Sequence, residues 1–120
     1  NWILRIIAHH QYEIGEINYI FCNDEYLHKI NVEFLNHDTL TDIITFDNSL
    51  GKEIHSDIFI SVERVKDNAQ DYDVSFDEEL KRVMIHGILH LVGFKDKTTT
   101  EANKMRELEN NAINMFHVEQ

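Results

Sequence analysis

The chain of 120 residues contains no proline, four glycines and one cysteine. A single cysteine cannot form an internal disulfide, and Cys22 is therefore interpreted as a small apolar residue rather than a nucleophile. The lack of disulfides suits a reducing compartment, so the sequence predicts a cytoplasmic protein. No apolar run approaches the length of a membrane-spanning helix and no signal-peptide pattern occurs, so no membrane partner is expected.

Basic residues are also scarce. The 11 lysines and arginines stand against 22 aspartates and glutamates, which gives a formal net charge of −11. Proteins that bind nucleic acid usually carry a basic surface, because contacts with phosphate supply much of their affinity. RNA binding by this chain is therefore expected to be local, around a few basic side chains and a metal, or to depend on a larger assembly that delivers the substrate.

The length of the chain and its composition, 42% hydrophobic and 28% charged, fit one globular domain without repeats or low-complexity segments. Apolar periodicity and capping signals predict an α+β fold, with a small mixed β-sheet packed against several helices. Three helices are predicted over 2–14, 24–36 and 62–72, and two more begin at capping boxes over 75–78 and 98–101. Three strands are predicted over 16–22, 42–47 and 55–61.

One stretch carries the clearest chemical signal: His86-Gly-Ile-Leu-His90-Leu-Val-Gly93-Phe-Lys-Asp96. Residues four apart lie on the same face of a helix, so His86 and His90 can bind one ion together. Gly93 suits the left-handed turn at which helices often end, and the chain can then bring Asp96 toward the two imidazoles. Two nitrogens and one oxygen with a fourth position open are typical of a catalytic zinc site. One divalent ion is expected, most simply Zn²⁺, although nickel, cobalt or iron would fit the same ligands.

The alternative interpretation is that both histidines are ordinary core residues. With 8 histidines in the chain, chance alone gives about half an HxxxH pair per chain, but the added glycine and third ligand lower the chance to roughly one in 250. Residues 83–92 are apolar nearly all round, which predicts a central buried helix. Imidazoles in such a helix need partners, and one metal ion satisfies a nitrogen of each, so the metal site is the favoured interpretation.

Three basic residues near this stretch are candidates for binding substrate phosphate. Lys95 and Lys97 lie in the expected ligand loop, where a solvated surface position is an equally good interpretation. Arg82 lies one turn before the first histidine, and an ion pair with Glu78 is favoured over a substrate role. No residue is assigned as the general acid or base.

Other polar residues are given structural or supporting roles. Asp42 and Asp57 lie on or beside strands and are expected to orient a ligand histidine or to stabilise the structure. Gly87 stands where metallopeptidases of related spacing carry their catalytic glutamate, so peptide hydrolysis by that route lacks its base. The remaining histidines show no partner spacing, and two of them, His37 and His55, are the ones expected nearest to the site.

The stretch from His86 to Asp96 resembles the signature of the YbeY family of bacterial ribosomal-RNA maturation factors, which runs His-Gly-x-Leu-His-Leu-x-Gly-aromatic-Asp-His. Asp96 takes the place of the third histidine, and aspartate is also a competent zinc ligand. Segments 41–46 (Thr-Asp-Ile-Ile-Thr-Phe) and 56–61 (Ser-Asp-Ile-Phe-Ile-Ser) are similar to two strands of the family, and the match covers roughly residues 16–110.

The resemblance implies one metal-dependent hydrolase domain over residues 1–120 with zinc as its ion. Because the chain begins inside an apolar helical pattern, an N-terminal strand is expected to be missing. The resemblance also implies a single-strand-specific endoribonuclease in small-subunit rRNA 3′-end maturation and ribosome quality control. Its partners would be an rRNA precursor and the ribosomal small subunit, with no DNA. Many members of the family carry an arginine directly after an aromatic residue. Here Phe34 is the aromatic residue and Leu35 stands in place of the arginine, so the role of that arginine is not assigned to any residue of this chain.

Two other functions stay open on the sequence. A metal-stabilised, non-catalytic assembly factor that binds a ribosomal protein or a pre-ribosome would need the same ion. Hydrolysis of a small ester or amide would be favoured by a deep apolar metal pocket in place of an open groove.

Overall fold

The computed structural model describes residues 2–35 and 41–119, which form helices on both sides of a small sheet. In chain order these elements are α1 (Trp2–His9), β1 (Glu13–Cys22), α2 (Asp24–Leu35), β2 (Ile43–Asp47), β3 (Glu53–Ser61), α3 (Val62–Asp71), α4 (Phe76–Leu91) and α5 (Thr99–Glu119). The predicted α+β class is confirmed. None of the helices within these ranges has the length and apolar character needed to cross a bilayer.

The sheet has three strands in the order β1-β3-β2. The central strand β3 runs parallel to β1 and antiparallel to β2, so the sheet is mixed, as predicted. Alternate residues of β3 are buried, which is the pattern of a strand with one face on the main core. The short strand β2 forms one edge of the sheet, and α4 crosses close to it.

The core has a large and a small part, one on each face of the sheet. The large part joins β3 to α1, α4 and α5, whereas the small part lies between α2 and the opposite face. Helix α4 is central to the large part: six of its residues from Val83 to Leu91 are buried. This confirms the predicted buried helix, and it places both histidines of the motif against the core.

Helix α1 is shorter than predicted, because it ends at His9 and β1 begins at Glu13. The cause is Gln11, whose φ of 65° is left-handed. The amide of Tyr12 donates to the carbonyl of Ile7, and the amide of Gln11 donates to that of Ala8. This pair of bonds is the Schellman ending of a helix, which usually carries glycine at the left-handed position. Gly15, which directly follows the predicted helix in the sequence, lies within β1.

The ends of α4 and the start of α5 hold the segment from His86 to Asp96 in place. The Ser75 hydroxyl caps α4 by accepting from the amide of Glu78. Gly93, with φ of 104°, ends the same helix in a Schellman pair, since the amide of Phe94 donates to the Leu89 carbonyl. Thr98 and Glu101 then form the predicted capping box at α5, each side chain accepting from the other's backbone amide.

Candidate metal centre

His86, His90 and Asp96 converge at the end of α4, as their spacing predicted. The Nε2 atoms of the two histidines are 3.0 Å apart. Oδ2 of Asp96 lies 3.3 Å from the His86 nitrogen and 3.4 Å from the His90 nitrogen. Among the described residues, these three side chains form a group whose ligand atoms are close enough together to hold one metal ion.

The triangle of ligand atoms has the dimensions of a zinc site. Zinc binds histidine nitrogen and carboxylate oxygen at about 2.0–2.2 Å, so tetrahedral ligand atoms lie about 3.3 Å from each other. The three observed separations, 3.0, 3.3 and 3.4 Å, are close to that value. Asp96 is 38% exposed, which leaves its side of the triangle open for water or substrate. The chain's own residues therefore fit one ion with an open position.

Glu109 of α5 fixes the orientation of His86, a role that the sequence did not reveal. Its Oε2 lies 2.7 Å from Nδ1 of His86, and its Oε1 accepts from Nη1 of Arg82 at 3.0 Å. Burial alone would raise the pKa of Glu109, but hydrogen bonds from His86 and Arg82 outweigh it, and the pKa is lowered. An ionised carboxylate only accepts, so Nδ1 of His86 carries the proton and Nε2 presents its lone pair to the ion.

The same contacts raise the pKa of His86 in the metal-free chain. Burial lowers this pKa, but the hydrogen bond and charge of Glu109, followed by the charges of Asp96 and Asp42, outweigh the burial. The signal for Glu109 in the sequence was its place between Met105 and Ala112 on the apolar side of α5. A buried charge on such a stripe needs a partner, but the stripe does not say which one.

The expected roles of the other polar residues are partly corrected. Arg82 pairs with Glu109 and with the Asn110 side chain, not with Glu78, so the expected ion pair was wrong. Nδ1–H of His86 donates to Glu109 and not to Asp42 or Asp57. The carboxylate of Asp57 accepts from the Asn18 amide on the other face of β3.

Of the two further histidines, His55 is not part of the triangle. His55 contacts Glu53 and accepts from the backbone amide of Glu16, at a distance from α4 along the sheet. His37 lies outside the described residues.

Two polar cavities open beside the ligand triangle. The larger, of about 620 Å³, follows the edge strand β2 and is lined by Leu35, Thr45 and Lys97 together with the three ligands. The smaller, of about 290 Å³, lies between α3, α4 and α5 and shares His86 and Asp96 with the centre. Charged walls and open access distinguish these spaces from a deep apolar pocket for a small ester.

Besides Asp96 and Glu109, the half-buried Asp42 and the buried Glu79 line the smaller cavity with their carboxyl groups. Burial raises the pKa of Asp42, although the nearby His86 partly opposes the shift. Burial also raises the pKa of Glu79, and the neighbouring charge of Asp42 raises it further. Lys95 and Lys97 are exposed in the ligand loop, where the sequence located them, and their substrate role stays a prediction.

Gly87 lies against the sheet, which explains why no catalytic side chain stands there. A Cβ atom added to it would come within 2.9 Å of Cδ1 of Ile43 and 3.5 Å of Oγ1 of Thr45. The position after the first histidine therefore points at β2 and not at the ion.

A small α+β domain with a His-His-Asp group that could hold a metal ion at the end of a buried helix is compatible with a hydrolase. The family described as Endoribonuclease YbeY matches residues 1–117, and the chain belongs to this family. Membership makes the protein an endoribonuclease, an enzyme that hydrolyses RNA. The endoribonuclease was the function favoured on the sequence, and the non-catalytic assembly factor was its alternative; family membership supports the endoribonuclease.

Individual relatives agree with this assignment. The chain is 63% identical over its whole length to an endoribonuclease YbeY of Flavobacterium johnsoniae, covering 86% of that protein. It is 59% identical over its whole length to one of Christiangramia forsetii, covering 84%. The solution structure of TM1509 from Thermotoga maritima is similar with a TM-score of 0.63 and 25% identity, over 98% of this chain and 81% of that one.

Proposed function

We propose that the protein is a zinc-dependent endoribonuclease specific for single-stranded RNA, acting in small-subunit rRNA 3′-end maturation and ribosome quality control in the cytoplasm. Family membership supports the ribonuclease activity. The observation that carries the metal is the triangle of His86, His90 and Asp96, whose edges of 3.0, 3.3 and 3.4 Å match zinc coordination. The rRNA precursor and the ribosomal small subunit are the partners that the family resemblance suggests.

The chain's own residues divide the work of phosphodiester hydrolysis. A bound zinc ion supplies Lewis acidity toward a phosphoryl oxygen or a water molecule. Glu109 keeps the proton on Nδ1 of His86, and so holds the ring in the orientation that binding requires. Lys95 and Lys97 offer positive charge beside Asp96 for the phosphates that flank the cleaved bond. This charge is local, which suits a chain with an overall charge of −11.

The shape of the site favours single strands. Both cavities reach the ligand triangle, so a strand whose phosphate lies there can direct unpaired bases to either side. Bases stacked in a duplex cannot turn away from each other in this way without the cost of unpairing.

The test compares zinc-loaded protein with chelator-treated protein on a single-stranded RNA and on the same sequence as a duplex. We expect one zinc per chain by elemental analysis, cleavage of the single strand, and loss of both zinc and cleavage in His90→Ala. Cleavage that persists in His90→Ala would reveal a contaminating nuclease and remove the proposal. Stoichiometric binding of another metal that supports cleavage would correct the ion alone.

One observation keeps the assembly factor as a second candidate. Phe34 is 67% exposed and the adjoining Leu35 lines the groove beside the ion, where other members carry arginine. An apolar pair at this place suits contact with a protein. Zinc that stabilises the fold without any RNA cleavage, in the same experiment, would favour this function.

A further inference from the structure

The smaller cavity contains a buried acidic side chain that the metal centre does not use. Glu79 of α4 is 5% exposed and lines the cavity of about 290 Å³. Among the described residues its carboxyl group has neither a hydrogen bond nor an ion pair. The nearest cationic partner on α4, Arg82, is already bound to Glu109 and Asn110.

The Glu79 side chain is buried, but its oxygens are not enclosed by protein, because among the described residues the enclosed side-chain atom without a partner is Nε of Arg64. The oxygens are therefore exposed to the cavity that Glu79 lines, where the charges of Arg82 and Arg106 also act on them. Water in the cavity can donate to this carboxyl group, and a ligand that displaces the water has to supply hydrogen-bond donors in its place. Glu79 also lies on the stripe of α4 that continues through Val83, His86 and His90, at spacings of four, three and four. The unpaired carboxyl group therefore faces the same side of the helix as the metal ligands.

The size of the cavity indicates what kind of ligand would supply these donors. A water molecule takes about 30 Å³ in the liquid, so the cavity holds on the order of ten. A single cation would leave most of this space empty, and among the described residues Glu79 belongs to no group with metal-binding geometry. An organic group with about ten heavy atoms and N–H donors fits better, and a purine base has this size.

The chemistry of the walls selects guanine among the bases. A carboxylate accepts hydrogen bonds only, and the Watson–Crick edge of guanine presents two adjacent donors, N1–H and the N2 amino group. Adenine and cytosine present one amino group next to a ring nitrogen that a carboxylate repels, and uracil presents one N–H between two carbonyl oxygens. Asn68 and Arg106 on the same walls can donate to O6 and N7, the two acceptors of guanine.

We propose that this cavity is a subsite for a guanine base next to the scissile phosphate, with Glu79 accepting from N1–H and N2–H. The inference rests on the proposed function, since it takes a single-stranded RNA as the substrate. His86 and Asp96 belong both to the ligand triangle and to the cavity wall, so a nucleotide with its phosphate at the triangle has its base within reach of the cavity. The Tyr72 ring at the mouth, 61% exposed, offers a surface on which a base can stack.

The test measures binding of 5′-GMP, 5′-AMP, 5′-CMP and 5′-UMP to the zinc-loaded full chain by calorimetry. We expect 5′-GMP to bind about tenfold more tightly than each of the others, which is the discrimination typical of one bidentate contact. Glu79→Gln should reduce the preference to about threefold or less, because an amide cannot accept from both donors. The matched control is Glu107→Gln, an exposed position on α5, which should keep the preference of the unaltered protein.

The result that overturns the subsite is equal binding of the four nucleotides, a preference for another base, or a guanine preference that survives in folded Glu79→Gln. If Glu79→Gln fails to fold, Asn68→Ala at its half-buried position on α3 decides the question, and an unchanged preference there overturns the subsite. Because binding is measured without turnover, the two proposals fail separately. Selective 5′-GMP binding without RNA cleavage would remove the ribonuclease proposal alone, and cleavage with no base preference would remove the subsite alone.

Discussion

At the scale of single residues, Glu109 determines how well His86 can serve as a ligand. Glu109→Gln keeps the shape and one acceptor but removes the charge that favours a proton on Nδ1. We expect zinc affinity to fall about tenfold, at the low end of what changes behind a ligand histidine usually cost. The measurement is competition with a chromophoric chelator at pH 7.5, and Glu107→Gln on the same helix is the control. Unchanged affinity in Glu109→Gln would show that the position of His86 is set by packing alone.

The residues of the site were predictable to different degrees, for physical reasons. The ligands His86, His90 and Asp96 follow from spacing within one helix and its exit loop, which is local information. Glu109 and Glu79 meet the site only after helices have packed, and no local period reveals such a contact. Both do lie on inward-facing stripes, where a charge signals a buried partner without identifying it.

At the scale of elements, the exit from α4 depends on the backbone of Gly93. Its φ of 104° is strained for any residue with a Cβ, although no atom comes closer than 3.9 Å to the place a Cβ would take. Gly93→Ala is expected to lower the free energy of unfolding by about 1–3 kcal/mol. It should also weaken zinc binding, because the loop that follows carries Asp96. Urea denaturation and chelator competition measure the two effects.

Gly51 provides the control for that prediction. It also has a positive φ, 57°, and lies in open space between β2 and β3. Gly51→Ala should destabilise the protein by about 1 kcal/mol and leave zinc affinity unchanged. Equal losses of zinc affinity in the two variants would mean that the effect of Gly93→Ala is global instability and not a displaced ligand.

A second prediction at this scale concerns the junction of α2 with α3. The carboxylate of Asp24 accepts from the Ser61 hydroxyl at 2.6 Å and from Arg64 at 2.8 Å. Burial would raise its pKa, but these hydrogen bonds outweigh it and the pKa is lowered. The carboxyl group of Asp24 therefore binds a proton more readily in the unfolded chain than in the folded one. Its contribution to folding stability is complete above the unfolded pKa of about 3.9 and is lost as the pH falls through the lower pKa of the folded state.

The variant Asp24→Asn tests this predicted dependence of stability on pH. It should cost about 1 kcal/mol at pH 7, the difference between a charged and a neutral hydrogen bond, and progressively less as the pH falls below about 4. Urea unfolding over that range measures the difference, with Glu33→Gln, at an exposed position on α2, as control. A deficit that stays constant with pH would contradict the role given to the carboxylate charge.

Elements were predicted well where their ends carry a side-chain signal. The Ser75 cap and the box of Thr98 and Glu101 are side-chain motifs that occur in the sequence as in the structure. The end of α1 was missed because Gln11 adopts the left-handed conformation without being glycine. The strand order β1-β3-β2 depends on contacts between distant segments, which no local pattern determines.

At the scale of the whole molecule, the charge of −11 limits how RNA can bind. If Lys95 and Lys97 supply the phosphate contacts, the affinity for a single strand should fall with log[salt] with a slope near −1.4, since each contact contributes about −0.7. Changing both lysines to glutamine should bring the slope close to zero. Fluorescence anisotropy of a labelled RNA on catalytically inactive His90→Ala measures the slope.

The control pair for that measurement is Lys29→Gln with Lys66→Gln, exposed positions on α2 and α3. It removes the same charge from the molecule at a distance from the ligand loop. A slope that falls equally in both pairs would assign RNA binding to net charge, and would contradict a local phosphate contact.

The contact of Gly87 with Ile43 separates two kinds of hydrolase by shape. Peptidases with a related histidine spacing need a carboxylate directly after the first histidine, and here the neighbouring strand occupies that volume. A replacement of Gly87 by glutamate would have to displace Cδ1 of Ile43, and the new side chain would start toward β2 and not toward the ligand triangle. The direction of the backbone at Gly87 thus separates this scaffold from peptidases that place their base at the corresponding position.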